Sequence, residues 1–137
     1  MVVIDATGHI IGRLSSAVAK RLLNGEEVIV VNAEKALITG RRKWILEEFH
    51  HRRDIGSQRK GPFYPRRPDR ILHRSVRGMV PNQEPRGRDA MKRLRVYVGV
   101  PAEFKDQPFE RVAGADRITT TRYMTIGEIA ERLGGSF

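Results

Sequence analysis

The sequence contains no cysteine, which excludes a disulfide framework, a thiolate nucleophile and a cysteine-ligated zinc site. No apolar run approaches the roughly 20 residues that a membrane-spanning helix needs. The start, Met1 to Asp5, lacks the basic region and cleavage site of a signal peptide, so we expect a cytoplasmic protein. Acidic residues are also few, because 16 Asp and Glu stand against 26 Lys and Arg, for a net charge of +10.

This positive charge is concentrated in the middle of the chain. Residues 1–40 carry four basic and four acidic groups, residues 41–95 carry 17 and 6, and residues 96–137 carry 5 and 6; the net charges of 0, +11 and −1 sum to +10. Fourteen of the 17 central basic groups are Arg, whose planar guanidinium suits phosphate oxygens and base stacking. We therefore expect a nucleic-acid partner and no membrane, the alternative being a solvated basic face without a partner.

The two ends of the chain have the pattern of an α/β domain. Val2–Ile4 and Val28–Val31 are continuous β-branched runs, typical of strands buried in a parallel sheet. Apolar spacings of three and four predict a helix from about residue 10 to 23, and stretches at 36–38 and 94–99 predict further strands. We predict one α/β domain, residues 1–137, with a short, mostly parallel sheet of about four strands and helices on both faces.

Other segments surround this predicted core. Thr125 and Glu128 form the capping box of a C-terminal helix, which Gly134-Gly135 ends. Residues 56–68 contain turn formers, aromatics and basic groups without a period, so we expect an extended loop that RNA would order. The loop belongs to a basic helical and loop segment, about residues 41–95, inserted within the α/β core.

The segment 69–80 is predicted to be a helix with one basic and one apolar face. The basic set is Arg70, His73, Arg74 and Arg77, and the apolar set is Leu72, Val76 and Met79. Asp69 is placed to cap the start, and Gly78 followed by Pro81 to end the helix. No Glu at i+4 pairs with these charges, which favours contact with phosphates along an RNA backbone.

Two further basic groups have related patterns. Arg88, Lys92 and Arg95 lie at spacings of four and three, and Arg41 to Lys43 precede a helix that contains Trp44 and Phe49. That triplet is unfavourable for the helix dipole, which indicates RNA contact, although a solvated cluster is the alternative. The predicted RNA-binding residues are Arg41, Arg42, Lys43, Arg52, Arg53, Arg59, Lys60, Arg66, Arg67, Arg70, His73, Arg74, Arg77, Arg86, Arg88 and Lys92.

No motif indicates catalysis. His50 and His51 are adjacent and point about 100° apart on a helix, so they do not readily share a metal. Gly8 to Arg13 occupies the place of a phosphate-binding turn, but its spacing matches neither a P-loop nor a dinucleotide fold. We expect a tight turn that lets Leu14 pack, and no metal, cofactor, small-molecule substrate or enzymatic activity. The alternatives are a nucleotide-binding enzyme that uses this turn, and a basic module for DNA or messenger RNA.

Motifs over most of residues 2–101, and again in the tail from Thr125 to Gly134, have a recognisable order and spacing. They are Val3–Gly8 with Gly12–Leu14, Val31–Lys35 through Thr39-Gly40, Gly61–Phe63, Arg77–Pro81, Arg86–Arg88 and Leu94–Pro101. The sequence resembles the universal large-subunit ribosomal protein family numbered thirteen, in its archaeal and eukaryotic branch.

The resemblance implies an α/β fold and a place on the large ribosomal subunit, bound to the large ribosomal RNA early in assembly and beside other ribosomal proteins. For an RNA partner, phosphate contacts are expected to exceed base readout. Phe63 and Tyr64 are expected to stack on unpaired bases.

Overall fold

A computed structural model describes all 137 residues as a small sheet, a separate strand pair and five α-helices. In chain order the elements are β1 (Val2–Asp5), α1 (Ile11–Leu23), β2 (Val28–Val31), β3 (Leu37–Thr39), α2 (Arg42–Asp54), α3 (Pro68–Arg77), α4 (Pro85–Lys92), β4 (Leu94–Val96), β5 (Tyr123–Thr125) and α5 (Ile126–Arg132), with 3₁₀ turns at Ala33–Lys35 and Ala102–Phe104. None of the helices has both the length and the apolar character needed to cross a bilayer.

The parallel sheet has the strand order β1-β2-β4. Val3 lies opposite Ile29, and Ile29 lies opposite Arg95. All four residues of β2 are buried because this central strand is covered on both faces, which explains its continuous β-branched sequence. The predicted α/β class and the mostly parallel sheet are confirmed.

The sheet has three strands, because the apolar stretch at 36–38 belongs to a different element. β3 pairs with β5 in an antiparallel ribbon, with Ile38 opposite Met124. The sequence did not predict β5, which is only three residues long and depends on a partner more than 80 positions away. The ribbon leads directly into α5 and so joins the C-terminal helix to the start of α2.

Apolar residues from both chain ends and from the basic segment form one core of 23 buried residues. The helix predicted from about residue 10 to 23 is confirmed as α1, and its Leu14, Val18 and Leu22 are fully buried. The helix ends at Leu23 with Asn24 as its C-cap, and Gly25 follows with a φ of +93°, a conformation that glycine adopts without steric cost. The opposite face of the sheet is covered by Phe104 from the second 3₁₀ turn.

Candidate nucleic-acid interface

Helix α3 is split into an apolar and a basic side, as its sequence predicts. Ile71, Leu72 and Val76 are at most 2% exposed, and burying each contributes about 1.5–3 kcal/mol. The helix packs against α1, where the Ser15 hydroxyl donates a 3.0 Å hydrogen bond to the Ser75 oxygen. We call the other side the α3 basic face; its members are Arg70, His73, Arg74 and Arg77.

The ends of this helix differ from the prediction. Arg67 is the N-cap residue and Pro68 the first helical residue, so the prediction that Asp69 caps the helix is wrong. Proline fits this position because its fixed φ is helical and its missing N–H would have no acceptor there. Gly78 is the C-cap that ends the helix, as predicted, and Met79 lies beyond it and is 44% exposed instead of joining the apolar face.

The charges of the α3 basic face are not neutralised within the protein. None of its guanidinium groups lies within 4 Å of a carboxylate, and Asp69 pairs with Arg67 at 3.3 Å. Arg70 and Arg77 are exposed, and His73 and Arg74 are half-buried. Burial and the neighbouring Arg77 lower the pKa of His73, so this imidazole is neutral at pH 7 and offers a hydrogen bond instead of a charge.

A depression of about 410 Å³ lies between the α3 basic face and the loop that precedes it. All four basic side chains line it together with Phe63 and Pro65, and no carboxylate does. Phe63 is 68% exposed, an unusual position for a large aromatic side chain. The predicted loop is confirmed, since no helix or strand lies between Ile55 and Arg67.

Tyr64, predicted to stack on bases like its neighbour Phe63, is instead held by internal contacts. Its ring centroid lies 5.6 Å from the Arg52 guanidinium, 5.0 Å from that of Arg74 and 5.9 Å from the ring of Phe49. Arg52 also pairs with Glu48 at 2.6 Å. Burial opposes ionisation of Arg52, but hydrogen bonds to Tyr64 and Glu48 outweigh it and raise the Arg52 pKa. Tyr64 and Arg52 therefore support the loop from inside.

The structure divides the other predicted contacts into two classes. Those in salt bridges are Arg42, Arg52, Arg53, Arg67, Arg86 and Lys92. Outside the α3 basic face, the predicted contacts that have no carboxylate partner are Arg41, Lys43, Arg59, Lys60, Arg66 and Arg88. Arg95 lies on β4, so it does not continue the face formed by Arg88 and Lys92 on α4.

The Gly8 to Arg13 turn serves packing. His9 is fully buried, and its Nε2 accepts a 3.0 Å hydrogen bond from the Val112 N–H, which fixes the loop before β5 against the start of α1. Burial and the charge of Arg111 lower the pKa of His9, so it is neutral. Nowhere in the chain, His50 and His51 included, do three His, Asp or Glu side chains converge in a way that could hold a metal ion.

Comparison with known proteins agrees with these features. The family described as Ribosomal protein L13 matches residues 1–103. The chain is 52% identical to the large ribosomal subunit protein uL13 of Methanococcoides burtonii, over the whole of both chains. It is 52% identical to that of Archaeoglobus fulgidus, over 96% of this chain and 86% of the relative, and 51% identical to that of Methanosarcina barkeri over both whole chains. The chain therefore belongs to the ribosomal protein L13 family, in its archaeal type.

Proposed function

We propose that this protein is a structural constituent of the large ribosomal subunit that binds large-subunit ribosomal RNA and catalyses no reaction. The observation that carries the proposal is the α3 basic face, whose guanidinium groups have no carboxylate partner, with Arg70 and Arg77 exposed, while the other side of the helix is anchored in the core. A fixed row of unpaired cations attracts phosphates strongly, because the folded scaffold prevents the charges from moving apart. The relatives are large ribosomal subunit proteins, which supports the choice of ribosomal RNA over DNA or messenger RNA.

The α3 basic face and the depression beside it favour irregular RNA. Arginine contacts to phosphates position an RNA without reading its sequence, whereas an exposed aromatic ring stacks on a base that has left its helix. Phe63 is available for such stacking, and Arg70 and Arg77 are available for the flanking phosphates. The unpaired residues, Arg41, Lys43, Arg59, Lys60, Arg66 and Arg88, extend the surface, and we expect the salt-bridged ones to contribute less.

The salt dependence of binding tests this proposal. Replacing Arg70, Arg74 and Arg77 together by Gln is expected to flatten the slope of log affinity against log salt by about 2 to 2.7, at roughly 0.7 to 0.9 per lost phosphate contact. The probe is transcribed archaeal large-subunit RNA from one of the organisms named above. The matched control replaces three salt-bridged arginines, Arg42, Arg53 and Arg86, by Gln and removes the same charge. An unchanged slope in the first variant would mean that the α3 basic face does not contact RNA phosphates.

Two simpler experiments separate the remaining alternatives. Co-sedimentation with large subunits through a high-salt gradient is expected, and its absence would favour a free DNA or messenger-RNA module. Equilibrium dialysis against mononucleotides is expected to show no saturable binding. Micromolar binding would instead favour an enzyme that uses the Gly8 to Arg13 turn. Within the subunit, we expect neighbouring ribosomal proteins to adjoin the surfaces that RNA leaves free.

A further inference from the structure

A second basic groove lies outside the basic segment. It has a volume of about 600 Å³ and runs between the outer side of α1 and the loop 112–117. Its charged lining residues are Arg13, Lys20 and Arg117, and no acidic residue lines it. We call it the α1 groove. It joins two stretches of chain whose average charge is close to zero, so the sequence does not reveal it.

Two of these cations have no partner within the protein. Lys20 and Arg117 are exposed, and neither takes part in a salt bridge. Arg13 has a structural role, because its Nη1 donates to the carbonyl oxygens of Gly114 and Arg117 at 3.1 and 3.2 Å and so fixes the loop beside the helix. The nearby Asp116 is 3.7 Å from Arg111. The groove is thus held open with its positive charge uncompensated.

The lining of the α1 groove suits the sugar-phosphate backbone of a nucleic acid better than a nucleotide base. Its lining includes small residues such as Gly12, Ala17 and Gly114, and no aromatic side chain. Such a lining leaves room for the close approach of a sugar-phosphate chain, with Lys20 and Arg117 placed to neutralise phosphates and the exposed Ser16 hydroxyl placed to bond to a phosphate or ribose oxygen. The absence of a stacking surface disfavours a mononucleotide, whose base would have no partner here.

The helical wheels of α1 and α3 place the cations of the α1 groove and of the α3 basic face away from the contact between the two helices. The two helices contact each other through Ser15 and Ser75. On α1, Lys20 projects within about 20° of Arg13, whereas Ser15 projects about 160° away from it. On α3, Ser75 projects about 140° away from Arg70, around which the basic face is centred. Each helix therefore packs with one side and presents its cations on the other.

We propose that the α1 groove binds the phosphate backbone of a second RNA segment, so that the protein is held between two segments of the large-subunit RNA. This inference rests on the proposed function, since it requires an RNA bound at the α3 basic face. It adds a separate contact that neither the charged middle of the sequence nor the family likeness assigns.

Tethered hydroxyl-radical cleavage tests the location of the second segment. The chain has no cysteine, so a single Ser16→Cys variant carries an iron chelate only in the α1 groove, and an Arg70→Cys variant carries it only on the α3 basic face. We expect the two full-length proteins, bound to archaeal large-subunit RNA, to cut separate sets of nucleotides. A Ser136→Cys variant, labelled on the exposed tail, is the control for diffuse cleavage. Cleavage from Ser16→Cys that is absent, or that coincides with the set cut from α3, would overturn the proposal.

A charge variant tests the energetics independently. Changing Lys20 and Arg117 to Gln is expected to lower the salt slope by about 1.4 to 1.8, whereas Lys105→Gln with Arg132→Gln, which are also exposed and without ion pairs, is expected to leave it unchanged. If only the α3 variant flattens the slope, the α1 groove is refuted and the proposed function stands. If neither variant does, both are refuted. Saturable binding of ATP at the α1 groove would also refute the proposal that the groove binds an RNA backbone.

Discussion

At the end of β1, the Asp5 carboxylate organises the turn that starts α1. Its Oδ1 accepts hydrogen bonds from the Thr7 N–H at 3.0 Å, the Thr7 hydroxyl at 2.7 Å and the Asn32 side-chain amide at 3.1 Å. Asn32 follows β2 with a φ of +57° and is the only non-glycine residue in the left-handed region. Its hydrogen bond to Asp5 therefore also fixes the end of β2. Burial raises the pKa of Asp5, but these hydrogen bonds and the charge of Arg111 outweigh it and lower the pKa below its ordinary value.

Asp5 should therefore stabilise the protein only while it is ionised. Its folded pKa lies below the unfolded value of about 3.9, so its contribution is fully present above that pH and is lost as the pH falls through the folded pKa. We expect Asp5→Asn to lower the free energy of unfolding at pH 7 by about 1 kcal/mol, a value reduced by partial solvent screening, and the difference from the wild type to shrink below about pH 4. Urea unfolding between pH 2 and 7 measures this. A difference independent of pH would contradict it, and the exposed Asp106→Asn is the control.

The pairing of individual arginines cannot be predicted from sequence. Arg41 and Arg42 are adjacent and chemically identical, yet Arg42 lies 3.4 Å from Glu128, which is 86 positions away, and Arg41 has no carboxylate partner. Only the packing of α5 beside α2 makes that distinction. The sequence predicted where basic residues are dense, but it did not predict which of them form salt bridges within the protein.

Helix ends are determined by local side-chain chemistry more than the pairing of individual arginines is. The capping box of α5 is confirmed in part by geometry, because the Thr125 hydroxyl accepts a 3.2 Å hydrogen bond from the Glu128 N–H. We expect Thr125→Ala to lower the free energy of unfolding by about 1 kcal/mol, since the helix loses its only side-chain cap. Thr125→Ser keeps the hydroxyl and is expected to retain most of the stability in the same urea titration. Equal losses in the two variants would assign the effect to the β3–β5 ribbon instead.

Elements with a strong period or a continuous apolar run are readable from sequence, as α1 and β2 show. Elements that exist only through a distant partner are not. β5 is three residues long and gains its hydrogen bonds from β3. Because β3 pairs with β5, β3 does not belong to the parallel sheet, which has three strands instead of the predicted four. At the start of α3, the preference for Asp as a cap competed with the preference for Pro at the first helical position, and the second one prevailed.

On the scale of the whole molecule, the basic segment is built into the core and is not an appendage to it. Eight of the 23 core residues come from residues 41–95, namely Ile45, Phe49, Ile71, Leu72, Val76, Val80, Ala90 and Leu94. They pack with Leu14, Val18 and Leu22 of α1 and with Ile126 and Ile129 of α5. A binding surface that shares its core with the sheet keeps its cations in place before RNA arrives, which lowers the entropy lost on binding.

We propose on these grounds that residues 1–137 form one cooperative domain. Native-state hydrogen exchange measures this, because amides in α3 and α1 would then exchange through the same global opening and show equal free energies and equal dependence on denaturant. Val76→Ala, which empties a buried site of α3, is expected to lower both sets of values together by about 1–3 kcal/mol. If α3 opened at a lower free energy than α1, the basic face would be formed only when RNA holds it, and its charges would lose the preorganisation on which their attraction for phosphates depends.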